Sequence, residues 1–426
     1  MKGKLSYTYF RQSSILQLVL AITVLSVYCT TTTAAQWAQW GGPNRNFTTE
    51  PVQLAKTWPE DGPKRLWQRT LGEGYSAISV DEGMLYTMYR VADNEVVVAL
   101  DAQTGEVYWE TSYPAPSWPG FNVGYGPGPH STPLIVGDYV YTTGVRAQLV
   151  CLNKKTGDRV WEHDLWAEFN AKPPGRGYAS SPLAYKQMLI LPVGGTQGHG
   201  IMAFDLLDGH VVWKSQNFPP TFSSPIIINV DGQDQLVVFE GTEIVGLEPN
   251  TGELLWRHTH RTQYNINAST PVWGEDNLLF VSSGYDSGSR VLRLSQQDGT
   301  TTVEELWFST DMKIQHGTAV RLGKMVYGSS GRSSPAFLMA ANVETGEMTA
   351  KQRGFAKANV VAVGNDLIVL DEDGTLGLVT PVADGFEVHA QAQIFSSRSW
   401  TVPTLVGTTL YVRNQKEIMA LSLAPN

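Results

Sequence analysis

The sequence predicts an all-β, eight-bladed β-propeller, and three observations carry that prediction. A ten-residue phrase recurs as Leu100-Asp101 to Trp109, Leu152-Asn153 to Trp161, Phe204-Asp205 to Trp213 and Leu247-Glu248 to Trp256. Its period of about 40 to 50 residues marks a propeller or solenoid. Eight segments read as innermost strands, starting near Tyr75, His130, Tyr178, Phe222, Asn267, His316, Ala358 and Trp400. The last repeat stops on a third-strand phrase, Ile418 to Leu423, while an orphan fourth-strand phrase, Arg65 to Thr70, precedes the first blade.

The chain opens on an export signal, residues 1–35. Lys2, Lys4 and Arg11 accompany an apolar stretch from Ile15 to Val27, and Thr33-Ala34-Ala35 supplies small residues for cleavage before Gln36. The apolar run is too short for a comfortable membrane span, and no later segment is long and apolar enough. The mature chain is therefore expected in the periplasm or outside the cell. Tyr28 precedes Cys29, which makes lipidation there, and an outer-membrane lipoprotein, the less expected form. Cleavage would remove Cys29 and leave Cys151 alone, so no disulfide staples the fold. Residues 36–64 form a lead-in expected across the outside of the ring, and residues 65–426 a single propeller domain. A formal net charge of −9 argues against a nucleic-acid partner.

Each repeat reads as four short strands separated by turn residues. The innermost follows a small-residue–Pro phrase such as Ser131-Thr-Pro133 or Ser269-Thr-Pro271. Asp or Asn closes the third strand and can bond its own turn. The Gly that follows takes positive φ without steric cost. The fourth strand carries the Trp, large and mostly apolar, suited to the gap between neighbouring sheets. Repeats six and seven are degenerate: Thr345-Gly346 survives without a Trp, and Ala383-Asp384-Gly385 only as a turn. Residues 66–70 supply the missing strand of the last blade and close the ring, which removes the open edges of an unclosed array. A seven-bladed ring is the alternative count. Tyr113 to Pro129, rich in Pro, Gly and aromatics, is an insertion between blades.

These phrases resemble the PQQ-type repeat of quinoprotein dehydrogenases and of the BamB-type outer-membrane assembly lipoproteins. Trp37-Ala-Gln-Trp40-Gly-Gly-Pro43-Asn-Arg45 resembles the opening phrase of exported bacterial PQQ-like repeat proteins. The resemblance implies the fold, since the repeat serves enzymes and scaffolds alike. For a dehydrogenase it implies PQQ held between a Trp and a ring of two adjacent disulfide-bonded cysteines, beside a calcium ion on acidic and amide side chains. This chain has no adjacent Cys pair, which disfavours PQQ with Ca2+. The BamB type implies eight blades, a similar length and no cofactor. The expected function is an exported non-catalytic propeller, a monomer, that binds an envelope protein partner or an anionic small ligand at its channel mouth. The alternatives are a PQQ-dependent alcohol or sugar dehydrogenase and an envelope polysaccharide-binding module, the latter resting on Trp118, Phe121 and Tyr125 of the insertion.

Binding groups in such a ring sit on the fourth-to-first connections, which gather at one mouth of the channel. Those connections are read to hold Arg69, Lys172, Arg176, Lys214, Arg257, Arg261, Lys313, Lys351, Arg353, Lys357 and Arg398 against Glu73, Glu110, Glu162, Asp164, Glu168 and Asp311. A basic mouth opposite acidic turns would attract an anionic ligand or an acidic partner. Nearest the axis stand His130, Tyr178, Asn267, His316, Asn359 and Trp400. With Arg176, Lys357 and Arg398 they form the candidate face. No catalytic residue and no metal-ligand set is assigned. His130 and Ser131 are neighbours on a strand, point to opposite faces, and make a poor nucleophile–base pair. Asp371-Glu-Asp373-Gly374 lacks the spacing of a calcium loop and reads as a hairpin turn. Gly194 to Gly200 lacks the Lys and helix of a phosphate loop, and His258 and His260 lack a third ligand.

Overall fold

A computed structural model describes residues 37–331 and 336–425, together with Met1 and Gly3. Apart from those two residues, the expected signal segment, its cleavage point at Gln36 and Cys29 lie outside the described residues. Among the described residues no helix is long and apolar enough to cross a membrane.

Eight blades of four antiparallel strands form the ring, one of them joined by a short parallel strand, Thr48–Thr49, and this settles the count against seven. From blade 1 to blade 8 the innermost strands are Ser79–Asp81, Leu134–Val136, Leu183–Tyr185, Ile226–Val230, Val272–Gly274, Ala319–Leu322, Asn359–Val363 and Thr404–Val406. Those of blades 2, 3, 4, 5 and 8 begin directly after a proline, where no ladder N–H is needed. The fourth strand of blade 8 is Lys64–Thr70, antiparallel to Glu417–Ser422 in register Lys64↔Ser422 to Thr70↔Glu417. The two ends of the domain therefore close the ring.

The repeated phrase is the joint between blades. In the turn of blade 1, Asp101 Oδ1 accepts the N–H of Gln103 at 2.9 Å and of Thr104 at 2.8 Å, and Gly105 takes φ +72°. A Cβ on Gly105 would lie 2.6 Å from the ring of Trp67, which belongs to blade 8. The Trp of one blade thus docks on the turn glycine of the next. Gly157 meets Trp109, Gly209 meets Trp161, Gly252 meets Trp213 and Gly346 meets Trp307 in the same way, all at 2.5–2.7 Å from a hypothetical Cβ. Each indole N–H also donates to a backbone carbonyl of the receiving blade: Trp67 to Ala102 at 3.0 Å, Trp109 to Lys154 at 2.9 Å, Trp161 to Leu206 at 3.2 Å, Trp213 to Pro249 at 3.2 Å and Trp307 to Val343 at 2.9 Å. The seam is apolar in its body and satisfied at its polar tip.

Blade 5 has no Thr-Gly turn, and Trp256 of blade 4 turns back to donate to Gln235 Oε1 of its own blade at 2.7 Å. In blades 6 and 7 the Trp position is taken by Ala350 and Ala390, opposite Ala340 and Leu378. There the seams are filled by aliphatic and Phe side chains, in one core running through blades 6, 7, 8 and 1.

The lead-in does not lie across the outside of the ring; residues 37–49 fill the channel. Trp37 exchanges both backbone hydrogen bonds with Val80 of blade 1 at 2.9 Å, Ile135 N donates to Ala38 O, and Ala362 N donates to Phe47 O. Innermost strands run from the mouth to the far face. Trp37 pairs antiparallel to blade 1 and so heads toward the mouth, whereas Thr48–Thr49 pair parallel to blade 7 and so head away. The segment is a hairpin inserted from the far face, turning at Gly41 and Gly42 (φ +75° and +76°). A Cβ on Gly41 would sit 2.8 Å from the Arg45 backbone, so the tight turn requires glycine. Arg45 is buried without a carboxylate. Its guanidinium donates to Pro225 O at 2.7 Å, Pro182 O at 3.1 Å and Ser181 O at 3.0 Å, bridging blades 3 and 4. The physical reason is the unpaired inner edge of an eight-bladed ring. Backbone groups there need partners, and Trp37 and Phe47, each 1% exposed, fill the apolar space. Beyond the plug the chain crosses beneath blades 7 and 8: Lys56 pairs with Asp366 at 2.5 Å and Ala55 N donates to Leu423 O.

Candidate functional site

The fourth-to-first connections gather at the mouth and enclose a pocket of about 290 Å³. Trp40 of the plug lines it from below, and Trp400, Tyr75, Tyr125, His130 and His316 line its sides. Trp400 is the centre. Its ring lies 5.4 Å from Tyr75, 5.7 Å from Tyr125 and 4.8 Å from His316, tilted by 35–54° rather than stacked. Its indole N–H donates to Glu372 Oε2 at 3.2 Å, and Asn359 Nδ2 donates to its backbone carbonyl at 2.9 Å. Tyr125 reaches the axis because the insertion carrying it is pinned by the Tyr75 hydroxyl, which donates to Tyr125 O at 2.6 Å.

Cations flank these rings. Arg398 lies 4.6 Å from the Trp400 ring and 5.2 Å from the Tyr125 ring, and Arg176 4.5 Å from Tyr125. Such contacts hold a guanidinium in place without neutralising it. Lys357 differs, because Glu372 receives it through both carboxylate oxygens at 2.8 and 2.9 Å. His130 Nε2 donates to Arg176 O at 3.0 Å. Desolvation lowers both His130 and His316 to about 4, so both rings are neutral at pH 7. Two polar atoms of the pocket wall, His316 Nε2 and Gln315 Oε1, are buried without a hydrogen-bond partner.

Of the residues expected at the mouth, His130, Arg176, His316, Lys357, Arg398 and Trp400 come together around this pocket. Tyr178, Asn267 and Asn359 do not line it. Tyr178 is fully buried and donates to Pro192 O at 2.8 Å, and Asn267 Nδ2 donates to Glu240 O at 2.5 Å. Both satisfy backbone inside the blades, while Asn359 acts only behind Trp400. Trp40 and Glu372 were missed as pocket residues. Trp40 sat in a phrase placed outside the ring, and Glu372 in an acidic loop that is indeed a turn, with Asp371 Oδ1 accepting Thr375 N at 2.8 Å.

The expected basic excess at the mouth is offset. Arg69, Lys214, Arg257, Lys351 and Arg353, with Glu110, Glu162 and Asp164, belong to fourth strands, which leaves Lys172, Arg176, Arg261, Lys313, Lys357 and Arg398 in the connections. The second-to-third loops share the same face. Among the described residues they add Asp93, Glu240, Asp286, Asp371, Glu372 and Asp373 against Arg146 and Lys416. The positive character is therefore local, at the two arginines over Tyr125.

Other sequence features find structural duties. Trp118 and Phe121 stack on each other at 4.1 Å, and Trp166 meets Trp118 edge-on at 5.9 Å, which anchors the insertion rather than offering a sugar platform. His260 is buried, accepting from Arg290 Nε at 3.0 Å. Asp205, Asp208 and His210, whose ligand atoms come within 4.8 Å of one another, belong to the blade 3 turn, where Asp205 Oδ1 accepts Leu207 N at 2.8 Å. The pocket residues do not fit PQQ with calcium. Among the described residues no cysteine lines the pocket, Cys151 is buried in blade 2, and Glu372, which takes the Trp400 N–H from behind, is held by Lys357.

Comparison with known proteins agrees with this picture. The outer membrane protein assembly factor BamB of Yersinia pestis is 22% identical over 361 residues, covering 78% of this chain and 80% of that protein. Its Salmonella typhimurium counterpart is 24% identical over 383 residues, covering 75% and 89%. The crystal structure of BamB from Moraxella catarrhalis superposes with a TM-score of 0.61 at 15% identity, covering 84% of this chain and 99% of that one. A europium-containing methanol dehydrogenase superposes with a TM-score of 0.69 at 11% identity, covering 91% and 98%, a likeness of fold. A family model described as outer membrane protein assembly factor BamB matches residues 44–120 and 93–352, and the chain belongs to that family.

Proposed function

We propose that this chain is an exported, non-catalytic propeller scaffold that engages a protein of the cell envelope through its mouth face. One observation carries the reading: the plug fills the channel behind Trp40, leaving a concave, aromatic surface flanked by arginines. Membership of a family described as an outer-membrane assembly factor supports an envelope partner. The signal-like N-terminus supports a periplasmic location, and a ring closed by its own two ends supports a monomer. Photo-crosslinkers placed at Lys172 and Arg176 of the mouth, and at Thr104 and Asp158 of the far-face turns, test the assignment in intact envelopes. Mouth positions should capture one outer-membrane assembly component that far-face positions do not. Capture from the far face alone, or equally from both, overturns the assignment. Titration of the purified protein with PQQ and Ca2+ separates the dehydrogenase reading: a saturable absorbance change with dye-coupled turnover would establish it.

A further inference from the structure

We infer that the mouth pocket receives one aromatic side chain of the partner polypeptide, with a carboxylate next to it on that chain pairing with Arg176 and Arg398. The inference rests on the mouth being the partner face. Size comes first: about 290 Å³, closed below by Trp40, is room for a ring side chain but not for a folded element. Shape follows, because Tyr75 and Tyr125 are each inclined to Trp400, by 37° and 35°, an arrangement that leaves ring faces and edges for another aromatic.

Charge then selects the neighbour. Lys357 is already neutralised by Glu372, whereas Arg176 and Arg398 have no ion-pair partner among the described residues and are held over Tyr125 by its ring. A guanidinium held in this way is set to form a charge-assisted bond with an incoming carboxylate. The unpartnered wall atom Gln315 Oε1 is an acceptor, and so is Nε2 of a neutral His316 whose Nδ1 carries the proton, so they call for an occupant bearing a donor. A peptide N–H is such a donor. A sugar could satisfy them but would leave the two arginines unpaired. A free aromatic acid shares the ring and the carboxylate but lacks the amide.

Fluorescence titration of the mature full-length chain tests this with three capped peptides: Ac-Gly-Asp-Phe-Gly-NH2, its Asp→Asn form and its Phe→Ala form, with 3-phenylpropanoate as the free acid. The Asp-Phe peptide should bind saturably and weaken as salt is raised. Loss of the carboxylate, or Arg398→Gln or Arg176→Gln in the protein, should each weaken it about tenfold. Loss of the ring, or Trp400→Ala, should abolish it. Thermal melts of the three variants check that the fold is kept. Failure of the peptide to saturate, indifference to Arg398→Gln, or equally tight binding of 3-phenylpropanoate overturns the inference. If peptides fail while mouth crosslinks persist, the scaffold reading survives this inference. If mouth crosslinks are also absent, that reading falls with it.

Discussion

At the seam between blades 1 and 2, Trp109 is nine-tenths buried against Gly157 and its N–H is capped by Lys154 O. At the mouth, Trp400 stands half-buried among Tyr75, Tyr125 and His316, with its N–H on a side-chain carboxylate. The two indoles occupy opposite situations. The seam Trp is repeated in register, meets backbone, and leaves no space. The mouth Trp occurs once, meets side chains from several blades, and borders a cavity. Repetition therefore marks what holds the ring, and irregularity marks what the ring can present to another molecule.

That contrast can be broken from either side. The largest effect should come from Trp109→Ala, which empties a closed seam. Equilibrium denaturation should show a loss of about 3–5 kcal/mol. Trp256→Ala makes an informative companion, because Trp256 is buried between blades 4 and 5 while its N–H goes to Gln235 of its own blade; it should raise hydrogen exchange across the blade 4–5 seam. Next, Arg45→Met removes the guanidinium that donates to the Pro182, Ser181 and Pro225 carbonyls. A loss of about 1–3 kcal/mol is expected, read by the same denaturation. A change near zero would mean that the plug does not brace blades 3 and 4.

Acid should act on the mouth before the seams. His130 and His316 are lowered to about 4 and His260 to about 3, chiefly by desolvation, and all three lie on mouth connections. The unfolded chain takes up these protons near pH 6.5, so it binds more protons than the folded chain between that pH and the lowered values. Stability is full above pH 6.5 and declines as pH falls toward 4. Hydrogen exchange at pH 4.5 should open the mouth loops while the Thr-Gly turns stay protected. Uniform opening would contradict a localised acid response. The smallest effect on the fold should come from Trp400→Ala, about 1 kcal/mol or less, since the ring is partly solvated and lines a space. Its consequence belongs to binding rather than to the melting curve.

The seams were legible because their chemistry is local. Asp101, Gly105 and Trp109 lie within nine residues of one another, and turn, glycine and bulged strand follow from spacing. Ring closure was legible for a related reason: a fourth-strand phrase with no blade of its own, Arg65 to Thr70, matched a blade with no fourth strand. The plug was not. Trp37 to Arg45 has no strand periodicity, and its partners Val80, Ser181, Pro225 and Thr270 are scattered along the sequence. Likewise Tyr178 and Asn267 stand five residues before their innermost strands where His130 stands four before its own, and their side chains turn into the blades toward backbone carbonyls.

By itself the sequence pointed to eight blades rather than seven and determined the turn chemistry and the order of strands, because each depends on residues within one repeat or on one unmatched strand. Only the tertiary structure decided that the N-terminal phrase enters the channel from the far face. It also decided that Glu372 silences Lys357 while Arg176 and Arg398 have no ion-pair partner among the described residues, and that a Trp from the last blade and a Tyr from an insertion share one pocket. Those outcomes depend on which side chains meet across the axis. Closing the ring brings together residues far apart in sequence, so no local pattern can encode their meeting.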